Sequence, residues 1–120
     1  MIKGLGVDIV SPQKIKKVID KWGKSFLDRV FNHDELKNIA VNKIYYQRIA
    51  ARFAAKEAVI KALGKSYPLS FRDISISNLP SGAPVCSLSQ SKGLFGIEIL
   101  ISITHIEDYA VATAIAQERS

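Results

Sequence analysis

The sequence predicts an α+β domain, a mainly antiparallel sheet packed against one long helix and shorter helices, in a single unit spanning residues 1–120. Three stretches carry that expectation. The chain opens on a β-rich run, Ile2 to Val10. It passes through a long helix-forming stretch from about Ile44 to Leu63, with Gly64 as its stop. It closes on two runs rich in β-branched residues, Ile97 to Ile103 and Tyr109 to Ala116, joined by a polar bend at 104–108.

In the first run, Ile2, Leu5, Val7, Ile9 and Val10 favour a strand, and Gly4 and Gly6 would admit a close neighbour to its backbone. Asp8 is out of place there. A strand-interior carboxylate needs a cation, hydrogen bonds or a metal, unless it merely caps the next helix. Ser11-Pro12 is a helix entry, serine as N-cap and proline at the first helical position. The helix is expected to reach about Lys21, with Ile15, Val18 and Ile19 apolar and Lys14, Lys17 and Lys21 in a stripe along one face. A solvated charged face and a dock for an acidic helix both fit such a stripe.

Phe26 to Phe31 reads as a short amphipathic turn or helix. Asn32 to Ile39 reads as a helix with Asp34 and Glu35 in its first turn, where the helix dipole favours acids. His33 is a lone histidine at that helix start. Ile74, Ile76 and Leu79 alternate with polar residues as a strand. Pro80 to Pro84 is turn chemistry, Val85 to Leu88 a short strand, and Ser89 to Gly93 a brief helix or loop.

The long helix holds the densest chemistry, Arg52-Phe53-Ala54-Ala55-Lys56-Glu57-Ala58-Val59-Ile60-Lys61-Ala62-Leu63-Gly64. Its alanines keep it thin, so a backbone or a ligand can approach. Glu57 and Lys61 lie one turn apart on one face, a spacing that an exposed, solvated pair also shows. Were the first strand to lie against this helix, Asp8 and Glu57 would meet. Two carboxylates completed by water suit Mg²⁺ better than zinc, and such a site usually takes phosphate oxygens as further ligands. Lys56 and Lys61 would neutralise phosphate charge, with Arg52 adding bidentate contact.

Several classes are disfavoured. No apolar run approaches the length of a membrane span. The start of the chain has no secretory signal pattern, so the expected location is cytoplasmic. One cysteine, Cys86, allows neither an intrachain disulfide nor a multi-cysteine zinc site. There is no P-loop and no nucleophile elbow. The net charge of +6 would suit a small nucleic-acid-binding module, but no such motif is present and that reading leaves Asp8 and Glu57 unexplained. His105, after Ser102 and Thr104 at the closing bend, reads on its own as an ordinary loop histidine.

Three blocks together resemble a known family: Gly6-Val7-Asp8-Ile9-Val10, then Arg52 to Ala58 with Lys61 to Gly64, then Ser102-Ile103-Thr104-His105. They are similar to the signature blocks of the holo-[acyl-carrier-protein] synthases, the short single-domain branch of the 4′-phosphopantetheinyl transferases. The likeness spans essentially the whole chain, including Phe31-x-x-x-Glu35-Leu36 and the Gly82-Ala83-Pro84 turn. It implies transfer of the 4′-phosphopantetheine arm of coenzyme A to a serine of apo acyl carrier protein, with adenosine 3′,5′-bisphosphate released, for fatty acid biosynthesis.

The resemblance also implies roles: Asp8 and Glu57 on Mg²⁺, Lys61 on coenzyme A phosphate and in catalysis, His105 holding the cofactor, and Lys14, Lys17 and Lys21 meeting the carrier's acidic helix. It implies a homotrimer with sites between subunits. The serine-activating base would be Glu57, directly or through a water, or a second acid such as Glu35. A non-catalytic subunit that keeps only the fold would not need Asp8, Glu57, Lys61 and His105 intact. After Gly64 the family usually has another glycine, whereas Lys65-Ser66-Tyr67 follows here.

Overall fold

The computed structural model of the chain describes residues 1–65, 67–89 and 93–119. Its elements are β1 (Ile2–Val10), α1 (Pro12–Trp22), α2 (Lys24–Val30), α3 (His33–Lys37), α4 (Tyr45–Leu63), a 3₁₀ turn (Phe71–Asp73), β2 (Ile74–Asn78), β3 (Pro84–Leu88), β4 (Ile97–His105) and β5 (Ala110–Glu118). An antiparallel sheet has the order β1-β5-β4, and β2 and β3 form a separate antiparallel pair. The expected α+β class and the sheet built from the first and last strands are both present. The loop or helix expected over Ser89 to Gly93 falls partly outside the described residues, as does Ser66 in the loop after Gly64.

Local chemistry sets the helix boundaries. The Ser11 hydroxyl accepts from the Lys14 backbone N–H, and Pro12 opens α1 without losing a needed donor. At the other end of the site, Gly64 has φ 71° and returns its N–H to the Ile60 carbonyl, closing α4.

What positions the site is how closely α4 lies on the sheet. The inward row of β5 is Ala110, Ala112, Ala114 and Ala116, all essentially fully buried. It meets Ala54, Ala55, Ala58, Val59 and Ala62 of α4, with Ile97 and Ile99 of β4 completing the layer. β1 comes closer still. A Cβ placed on Gly4 would lie 1.8 Å from the Ala62 carbonyl oxygen, and one on Gly6 would lie 1.9 Å from that of Ala58. Side-chain alternation along β1 then turns Asp8, the next residue in this row, toward the same helix.

The opposite face of the sheet is apolar and open. Leu5, Val7 and Ile9 are 63, 57 and 60% exposed. They pair across the register with Ile115, Thr113 and Val111 of β5. A Gly6→Ala substitution tests the close crossing. Forcing β1 off α4 should cost about 3 kcal/mol in denaturant unfolding, whereas near-normal stability would mean that β1 does not rest on the helix backbone.

Candidate active site

Asp8, Glu57 and Lys61 come together where β1 crosses α4. Lys61 Nζ donates to Asp8 Oδ1 at 2.9 Å and to the Val7 carbonyl at 3.1 Å. Glu57, half-buried, has its carboxyl pushed above the usual carboxylate range, first by burial and then by the neighbouring Asp8 charge, with Lys61 opposing. Two carboxylates held close enough to repel each other form a site chemically suited to a cation. Among the described residues no third acid, histidine or cysteine joins them. The donor set therefore fits a hydrated Mg²⁺ that takes its other ligands from water and phosphate, and does not fit a closed zinc cage.

Both carboxylates line a cavity of about 460 Å³, whose walls include Lys14, Ile15 and Val18 of α1, Phe26 of α2 and Phe53 of α4. Of the expected stripe, Lys14, Lys17 and Lys21 are all exposed. Among the described residues none of the three pairs with a carboxylate, and Lys21 lies over the Trp22 ring. Their neighbour Lys16 is tied to Asp20 at 2.8 Å. A second apolar hollow, lined by Val18, Trp22, Phe26 and Arg29, continues beside the stripe. The sequence revealed the charges but not this apolar floor, because Phe26 and Phe53 belong to elements that meet only in the fold.

Lys56 corrects an expectation. It does not face phosphate: it is fully buried, and its Nζ donates to Glu35 Oε1 at 2.6 Å, to the Val30 carbonyl at 2.8 Å and to the Phe71 carbonyl at 3.1 Å. The physical reason is rotation about the helix. One residue turns the side chain by about 100°, so Lys56 points inward beside Glu57 while Lys61, one turn on, returns to Glu57's side. Burial lowers the Lys56 pKa and Glu35 opposes that shift. Glu35 is thereby excluded as the base. It is buried, and its carboxylate also accepts from the backbone N–H groups of Asn32 and Ile76.

Arg52 and His105 stand elsewhere. Arg52 is five residues before Glu57, about 140° around α4. Its guanidinium donates to the Ile76 carbonyl and to Asn78 Oδ1, the latter at 2.7 Å. Asn78 in turn donates to the Gly82 carbonyl and so fixes the turn before β3. His105 Nδ1 lies 2.9 Å from Gln47 Oε1. Arg52 and His105 share a cavity of about 390 Å³ with Arg48, Asn78, Gly82 and Pro84. Burial, with Arg48 contributing, lowers the Arg52 pKa.

Arg48 carries no signal in the sequence, and among the described residues its guanidinium pairs with no carboxylate. Two clusters result on one chain: Asp8, Glu57 and Lys61 in one, and the guanidinium groups of Arg48 and Arg52 with His105 in the other. Cys86 belongs to neither, and burial pushes its thiol up to about 12, which leaves it a poor nucleophile.

An aspartate on a glycine-seated strand, meeting a glutamate and a lysine on the helix it crosses, defines a phosphate-handling α+β domain. The family model described as the 4′-phosphopantetheinyl transferase superfamily matches residues 4–114, and the chain belongs to that superfamily. It is 42% identical over 112 residues to the holo-[acyl-carrier-protein] synthase of Thermodesulfovibrio yellowstonii, covering 93% of this chain and 96% of the relative. Its structure is similar to that of the enzyme of the same name from Neisseria meningitidis, with 34% identity, TM-score 0.88, and 98 and 100% of the two chains covered. A synthase from Bacillus anthracis, solved in complex with CoA (3′,5′-ADP), is 31% identical with TM-score 0.84, and 99% of each chain is covered.

The buried pair makes a testable prediction. Lys56→Met should destabilise by about 3–5 kcal/mol by leaving Glu35 charged and unpaired, and adding Glu35→Gln should recover part of that loss. Additive losses in denaturant unfolding would mean that the two side chains do not act as a pair.

Proposed function

We propose that this chain is a holo-[acyl-carrier-protein] synthase. It moves 4′-phosphopantetheine from coenzyme A to a serine hydroxyl of apo acyl carrier protein and serves fatty acid biosynthesis. The observation that carries the reading is the convergence of Lys61 on Asp8, which with Glu57 lines a cavity that Lys14 of the unpaired basic stripe also lines. Phosphate chemistry and an acidic partner's landing surface thus meet at one place.

The chemistry is an in-line displacement at phosphorus. The serine oxygen forms a bond to the phosphorus that bears the pantetheine arm. The bond from that phosphorus to the bridging pyrophosphate oxygen breaks, and adenosine 3′,5′-bisphosphate leaves with the electron pair. Glu57, directly or through a water, is the base for the serine hydroxyl. Lys61 offsets negative charge on the phosphoryl oxygens. Mg²⁺ held by Asp8 and Glu57 would supply further charge neutralisation on the pyrophosphate.

The cluster of Arg48, Arg52 and His105, with its two guanidinium charges, suits the nucleotide end of coenzyme A. It lies on another face of α4 from Glu57, so a site between subunits would join the two clusters. The uncovered row Leu5, Val7 and Ile9 supplies a surface for such a homotrimer. The compartment proposed for the reaction is the cytoplasm. Among the described residues no helix is long and apolar enough to cross a membrane.

Asp8→Ala and Glu57→Ala should each reduce transfer by at least about a hundredfold while leaving the fold intact. Near-normal rates at saturating Mg²⁺ would remove both from the site. Reversing charge at Lys14, Lys17 and Lys21 should raise KM for the carrier protein, make binding less salt-sensitive and spare coenzyme A affinity. An equal loss for both substrates would locate the damage in the fold rather than in docking.

A further inference from the structure

The contact between Lys61 and Asp8 is asymmetric in a way that the transfer chemistry does not require. Asp8 is largely enclosed, with 14% of its side chain exposed, while the Lys61 side chain is 54% exposed. The carboxylate is therefore the fixed partner and the ammonium the movable one. Lys61 reaches from α4 across to β1 and is anchored there at two oxygens, Asp8 Oδ1 and the Val7 carbonyl. An ammonium seated on Oδ1 occupies a lone pair that a metal ion would use, and its charge repels a dication brought beside it. Glu57, the other carboxylate facing this point, has no ammonium bonded to it among the described residues.

We propose that Lys61 is a built-in counter-cation for Asp8, which a divalent ion must displace, so that metal and a pyrophosphate-bearing substrate bind cooperatively. This rests on the reading that Asp8 and Glu57 hold the metal. Alone, a divalent ion has to push Lys61 into solvent. When substrate phosphate is present, the displaced ammonium moves to a phosphate oxygen instead, and the displacement is compensated. Linkage requires the reverse as well: metal already at Asp8 frees Lys61 and tightens substrate binding by the same factor. Lys61 thus biases the order of events, keeping Asp8 compensated before the substrate arrives and discouraging unproductive metal binding.

The test uses Mn²⁺ as the probe, titrated by electron paramagnetic resonance into the full chain, first alone and then with coenzyme A. Lys61→Met should bind Mn²⁺ alone about fivefold more tightly than the unaltered protein, the scale set by a partly exposed ion pair. The tightening of Mn²⁺ by coenzyme A should shrink in the same variant. Lys61→Gln, closer to the native side chain in polarity, should behave like Lys61→Met, and Lys61→Arg, which keeps the charge, should behave like the unaltered protein. Asp8→Asn should abolish the Mn²⁺ site in every background. If Asp8→Asn abolishes binding but Lys61→Met and Lys61→Gln bind Mn²⁺ no more tightly, the counter-cation role is wrong and the metal assignment survives. Binding that ignores Asp8, or no binding in any background, would overturn the metal assignment and the inference with it.

Discussion

The site depends on β1 lying directly on the backbone of α4. Gly4 and Gly6 face the carbonyls of Ala62 and Ala58 at separations that leave no room for a side chain. Because side chains alternate along a strand, that seating carries Asp8 toward the helix two residues later. Because a helix repeats every 3.6 residues, Glu57 and Lys61 share the side that Asp8 meets. The alanine row of β5 permits the same approach from the next strand. Small residues on both sides of the contact convert two remote carboxylates and a lysine into one site.

A second constraint fixes the far side of α4. The buried Lys56–Glu35 pair ties α4 to the end of α2, to α3 and to the turn before β2, with every buried side-chain polar atom among the described residues engaged. Buried ion pairs contribute little net stability but penalise any arrangement that separates them. Here the pair holds the residue next to Glu57. Glu35 and Arg52 also grip the two polar groups of Ile76 on the edge of β2 that faces away from β3. Through Asn78, Arg52 then shapes the turn bordering the cationic cavity.

Much of this was legible in the sequence, for identifiable reasons. The strand with Asp8, the Ser11-Pro12 entry, the Gly64 stop and the closing hairpin are local signals, and the structure keeps each. The Asp8–Glu57–Lys61 grouping was legible only on the condition that the first strand lay against the long helix, a condition that the close seating of Gly4 and Gly6 meets. What sequence reading missed depends on rotation and on long-range pairing. Lys56 and Arg52 lie in the same stretch as Glu57, and reading them as one cluster ignored the roughly 100° that separates each residue from the next on a helix. Glu35 was identifiable as a first-turn acid but not as the partner of a lysine 21 positions later. Arg48 and Asn78 carry no local signal, because their significance comes from the cavity that β2, β4 and α4 enclose together.

Intact-mass spectrometry distinguishes metal-dependent transfer at the Asp8–Glu57–Lys61 site from its alternatives in one experiment. Apo acyl carrier protein would be incubated with this chain, coenzyme A and Mg²⁺, beside an identical sample containing EDTA. The carrier should gain the mass of one phosphopantetheine on its serine, and EDTA should suppress the gain. An undiminished gain in EDTA would contradict the metal's part in the site. No gain with any of several apo carriers, when coenzyme A binds the chain by calorimetry, would contradict the transfer itself.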